Sequence, residues 1–133
     1  MTMEKKWIKE IVETGEAPAA VGPYSQAVAA GPLIFVSGQI GLVPGTKRLA
    51  GDTIEEQTRQ AMENIAAILD AAGSSLDLVL KMTVTLRDIR DFPRFNEVYG
   101  RFFEDGPPAR AAYESSGLPL SALVEIETVA LRD

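Results

Sequence analysis

A chain of 133 residues, 46% hydrophobic and 24% charged, can bury one core but is too short for two ordinary domains. Its formal charge of -6 repels phosphate backbones and anionic lipid surfaces, so neither nucleic acid nor a membrane is an expected partner. Histidine and cysteine are both absent, which excludes disulfides, thiolate or imidazole metal sites, cysteine nucleophiles and histidine bases.

Chemistry therefore falls to carboxylates, Arg, Lys, Tyr, hydroxyls, backbone groups and water. Met1 to Trp7 is charged and has no apolar stretch behind it, so no secretory signal is expected and the cytoplasm is the expected location. No repeat or linker divides the sequence, and residues 1–133 are expected to form a single domain.

In chain order, Trp7 to Val12 is a weak strand candidate because lysines interrupt it, and Glu16 to Pro23 reads as a loop. Tyr24 to Ala30 and Leu33 to Ile40 read as strands joined at Gly31 and Pro32. After a turn at Pro44 to Gly51, Thr53 and Glu56 form a capping box that opens a helix ending at Gly73. Met62, Ile65, Ile68, Leu69 and Ala72 make its apolar stripe.

Leu80 to Arg87 alternates cleanly, with Leu80, Met82, Val84 and Leu86 on one face. Asp91 is the expected cap of a second helix that buries Phe95, Val98, Tyr99 and Phe102 and stops at Gly106. Ala109 to Glu114 and Leu123 to Leu131 close the chain as strands, and the last puts Val124, Ile126 and Ala130 on one face and Glu125 and Glu127 on the other. This order predicts an α+β fold, a mixed β-sheet with two helices packed on one face. The other face is mixed in character, which points to self-association with polar pockets between subunits.

If the last two strands form a hairpin about Gly117 and Leu118, Arg110 lies opposite Glu125 with both side chains on one face. As a site, the pair would fork around a substrate carboxylate and position a water. As structure, it is a cross-strand ion pair, and spacing alone favours the ion pair. Ser37, Gly38 and Gln39 interrupt an apolar strand and mark a bulge or a place where a ligand meets backbone. Tyr24 either walls a cleft or packs beside a turn, and Asn96 reads by default as a solvent-facing amide. No phosphate loop or nucleophile elbow is present.

Three segments carry a more specific signal: GPYSQAV at Gly22 to Val28, VSGQI at Val36 to Ile40, and PARAAYESSGLPLSALVEIETVAL at Pro108 to Leu131. With FPRFNEVYGRFF between them they closely resemble the RidA/YjgF family of reactive-intermediate deaminases, from about Val12 to the C-terminus. The resemblance implies a chorismate-mutase-like trimeric barrel with sites between subunits. It also implies hydrolysis of 2-aminoacrylate and 2-aminocrotonate, through their imines, to 2-oxo acids and ammonia, with no cofactor and no metal.

By the same resemblance Arg110 binds the carboxylate and Glu125 handles water and protons. Tyr24, Gly38, Ser37 and Asn96 would line or flank the pocket, with Ala112 beside them. Ala112 stands where many members place a cysteine, and Ser115 and Ser116 stand where more apolar residues are usual. The alternative is a non-catalytic protein that binds 2-oxo acids in the same pocket. RNA cleavage, a third reading attached to some members, is opposed by the acidic charge.

Overall fold

A computed structural model describes residues 6–133, and Met1 to Lys5, part of the charged start, lie outside them. Six strands form one mixed sheet in the order β1-β2-β3-β6-β4-β5. They are β1 (Glu10–Val12), β2 (Ala27–Ala30), β3 (Leu33–Gln39), β4 (Val79–Leu86), β5 (Ala109–Glu114) and β6 (Val124–Leu131). Helices α1 (Ile54–Ala71) and α2 (Phe92–Gly100) share one face of the sheet, as the order of elements predicts.

Thr53 caps α1 as expected, the Glu56 backbone N–H donating to Thr53 Oγ1 at 3.1 Å, but Glu56 Oε1 accepts from the Thr53 hydroxyl at 2.8 Å rather than from the Thr53 backbone N–H that a full capping box uses. Met62, Ile65, Ile68 and Leu69 are fully buried against Ile34, Val84, Leu86 and Ile126 of the sheet. Each such side chain contributes roughly 1.5–3 kcal/mol of burial.

Several expectations need correction. The strand expected over Trp7 to Val12 is only its last three residues, and β2 starts at Ala27 rather than Tyr24. Before Ala27 the buried Gln26 amide accepts from Thr14 N–H at 2.7 Å and donates to the Thr14 and Pro18 carbonyls, holding the chain in a loop. Leu80 does not face the core: a bulge between Val79 and Lys81 turns it outward, 43% exposed, and Val79 fills the core position. Asp91 makes no capping bond; Asp88 caps a short 3₁₀ turn (Ile89–Asp91) that runs into α2, and α2 ends at Gly100 in successive three-residue turns over Arg101, Phe102 and Phe103.

The last two strands also differ from expectation and form no hairpin. β5 pairs parallel with β4 at the sheet edge, and β6 lies on the other side of β4. A parallel pair needs a crossover, and α2, which lies between β4 and β5 in the chain and packs beside α1, supplies it. The Ser115 to Leu123 link then steps over the end of β4, where Ser115 N–H donates to the Leu86 carbonyl and Arg87 N–H to the Leu123 carbonyl.

The face away from the helices is open. A row in register crosses all six strands: Ile11, Val28, Phe35, Val129, Lys81 and Ala109. Toward the other end the row becomes polar, with Glu127 beside Thr83 and Glu125 beside Thr85. No helix among the described residues is long and apolar enough to cross a membrane.

Candidate active site

Arg110 pairs with Met82, and Met82 is buried under the helices, so Arg110 projects from the helical face at the sheet edge. Glu125 pairs with Thr85, one phase out from Met82, and projects from the open face. The two side chains that spacing suggested as partners therefore lie on opposite faces of one protomer. They are also about 10 Å apart along the strands and about 10 Å across them, at ~3.3 Å per residue and ~4.8 Å per strand.

Three aromatic residues of α2, at helical spacing, form a tray under the guanidinium. Arg110 Cζ lies 5.0 Å from the Phe92 and Tyr99 ring centroids and 5.9 Å from that of Phe95. Arg110 Nη1 donates to Asn96 Oδ1 at 2.8 Å, so Asn96 is not a plain solvent-facing amide. Among the described residues no carboxylate pairs with Arg110. A cavity of about 440 Å³ opens beside it, lined by Asn96, Tyr99, Phe103, Pro107 and Pro108. The Tyr99 hydroxyl is buried without a partner, and burial raises its pKa while the Arg110 charge acts the other way.

Glu125 sits in a second chamber of about 280 Å³, lined also by Tyr24, Gly38, Gln39, Ile40, Pro119 and Leu120. A register shift between Val36 and Gln39 puts a bulge at Ser37 and Gly38, the structural alternative that glycine in a strand suggested. Burial raises the Glu125 pKa above the ordinary glutamate value, and the like charge of Glu127 raises it further. A raised pKa makes the carboxyl a better proton acceptor than an ordinary glutamate.

Tyr24 is half exposed at this chamber, whereas the Ser37 hydroxyl points elsewhere, donating to the Ser25 carbonyl at 2.6 Å and tying the β2 approach to β3. Ala112 shares the Arg110 face and packs partly buried against the core. A larger open hollow, about 620 Å³ around Asp88, Arg90 and Ser116, holds neither Arg110 nor Glu125. Within it Arg90 is ion-paired with Asp88 at 2.7 Å. Among the described residues no cluster of acidic side chains is arranged to hold a metal ion.

The profile of the Endoribonuclease L-PSP family matches residues 14–132. The chain belongs to this family, the RidA/YjgF family. A RutC family protein of Pyrococcus horikoshii is 48% identical over 95% of this chain and 100% of its own length. The human 2-iminobutanoate/2-iminopropanoate deaminase is 44% identical over 94% of this chain and 91% of its own. The crystal structure of E. coli TdcF with bound serine matches with a TM-score of 0.89 at 41% identity, covering 93% of this chain and 99% of that one.

For this RidA/YjgF chain the sequence did not reveal the aromatic tray: Phe95 and Tyr99 read only as part of the buried stripe of α2, and Phe92 had no reading of its own. Nor did it reveal Leu120, which lines the Glu125 chamber from an irregular turn. The first had a legible trace in the spacing of Phe92, Phe95 and Tyr99; the second had none.

Proposed function

We propose that the chain hydrolyses 2-imino acids, formed from 2-aminoacrylate and 2-aminocrotonate, to 2-oxo acids and ammonia. It acts as a single domain, in the cytoplasm, within a homotrimeric, chorismate-mutase-like barrel whose sites lie between subunits. The observation that carries this reading is that each protomer presents two incomplete halves. A guanidinium that pairs with no carboxylate among the described residues lies on one face and a half-buried carboxyl on the other. Neither half can both grip and hydrolyse a small acid, and a second copy brings the missing half.

The roles follow from the chemistry. Arg110, oriented by Asn96 and the aromatic tray, forks around the substrate carboxylate in bidentate geometry. Glu125 of the neighbouring subunit holds a water against the imine carbon. The water adds to C2 as Glu125 takes its proton, the nitrogen is protonated, and ammonia leaves as the C2–O bond becomes a carbonyl. The atoms balance as imine plus water to 2-oxo acid plus ammonia. An imine carbon is already electrophilic, so positioning and acid–base contributions of roughly 10² to 10⁴ each suffice without a strong nucleophile.

A second reading is favoured by one observation: TdcF carries serine, a carboxylate that is neither enamine nor imine. On that reading the same groups bind small carboxylic acids without turnover. RNA cleavage would require a chain of net charge -6 to hold a polyanion, which the charge opposes. The test is to generate 2-aminocrotonate in situ with a dehydratase and follow its decay. Acceleration by the protein with stoichiometric ammonia release supports the deaminase, and tight 2-oxobutanoate binding without acceleration supports the binder.

A further inference from the structure

The chamber beside Glu125 is walled largely by carbon, from Val21, Ile40, Leu42, Pro119 and Leu120. Leu120 is unusual among these. Its backbone lies in the left-handed region at φ 55°, ψ 26°, and Ser121 follows at φ 57°. Among the described residues these two are the non-glycine positions with positive φ. A side chain with a Cβ is disfavoured there, and glycine would take the same conformation without strain.

The turn around Leu120 is fixed from both ends. Ser121 N–H donates to the Leu118 carbonyl, Ala122 N–H to the Pro119 carbonyl, and Leu123 N–H to the Gln57 side-chain oxygen of α1 at 2.8 Å. Yet the leucine side chain adds little to the core, since 60% of the residue remains exposed. Leu120 is thus a large apolar side chain in a strained conformation, away from the core and at the wall of a chamber, where strain of this kind points to function.

We propose that Leu120 determines substrate side-chain specificity, presenting an apolar wall to the carbons beyond C3 and favouring acids with uncharged aliphatic side chains. This rests on the reading of the Glu125 chamber as part of the substrate site, and it requires binding there rather than turnover. A single methylene contact in an apolar pocket is worth about 10-fold or more in discrimination.

The test compares binding of 4-methyl-2-oxopentanoate and 2-oxopropanoate by calorimetry, in the wild type and in Leu120→Gly, with the melting temperature of each protein. The ratio of the two dissociation constants should shift about 10-fold against the longer acid in the variant, because its wall contact is lost. The melting temperature should not fall, because glycine relieves the left-handed strain. An unchanged ratio overturns the proposal, as does a lowered melting temperature with both acids weakened equally, which would make Leu120 structural. A wild type that binds neither acid also overturns it. A wild type that binds both with the expected ratio shift but does not hydrolyse the imine leaves this inference standing and removes the deaminase.

Discussion

Gly38 lies directly under the Glu125 carboxyl: a Cβ built on Gly38 would stand 2.8 Å from Glu125 Cδ and 3.0 Å from its Cγ. The obstructed atoms belong to the end of a flexible side chain rather than to backbone, so Gly38→Ala can be relieved by swinging the carboxyl aside. Stability should change by no more than about 1 kcal/mol. Activity should fall about 100-fold, the scale of a displacement near 1 Å at a reacting group. Steady-state kinetics alongside thermal melts check this, and an active Gly38→Ala would detach the carboxyl from the chemistry.

Arg110 is held by a planar hydrogen bond and aromatic faces, a setting that an ammonium does not reproduce. Arg110→Ala and Arg110→Lys should both weaken 2-oxobutanoate binding by about 100-fold, corresponding to loss of a charge-assisted pair of about 2.7 kcal/mol. Asn96→Ala should cost less, about 10-fold, because the tray still carries the cation. Titration calorimetry gives all three; full binding by Arg110→Lys would show that charge without fork geometry is enough.

How much of this was legible in the sequence follows from the range of each interaction. The α1 cap and stripe are local, set by Thr53, Glu56 and residues three or four apart, and they appear where periodicity put them. The alternation of Glu125 with Val124 and Ile126 is likewise local and holds. What periodicity could not supply is which strand lies beside which. β5 and β6 are neighbours in sequence, yet β4 lies between them, because the α2 crossover returns β5 parallel to β4 at the sheet edge. That one topological fact moves Arg110 and Glu125 from a shared face to opposite faces. The amide clamps of Gln26, Gln57 and Asn64 were invisible for the same reason: each reaches loops whose positions depend on the whole fold, as Asn64 does in donating to the Leu42 carbonyl.

The Glu125 pKa is raised, first by burial and then by Glu127, so the protein favours its protonated form. For a carboxyl raised on folding, the stability contribution is present below the unfolded pKa and is lost as pH rises through the folded one. Glu125→Gln should therefore raise the melting temperature at neutral pH, with the gain vanishing in acid. If the ionised carboxylate takes the proton from water, turnover falls as pH drops through the raised pKa. Glu127→Gln removes a like charge, lowers that pKa and should move the acid limb of the rate profile downward. A limb that stays fixed in Glu127→Gln would mean that another group sets it.

Opposite faces make the assembly question decisive. Phe35, half exposed in the middle of the apolar row with Val28 and Val129, is a natural centre for an interface. Light scattering should give three times the 14.3 kDa chain mass for the wild type and a single chain for Phe35→Glu, which should keep its circular dichroism and lose turnover. Complementation separates a shared site from one within a chain. Arg110→Ala and Glu125→Ala should each be inactive alone, but unfolding and refolding them together in equal amounts lets subunits mix. If Arg110 comes from one subunit and Glu125 from its neighbour, each partner in a site is intact half the time, so about one quarter of the sites carry both groups. A site built within one chain would regain nothing on mixing, since every chain then lacks one of the two residues.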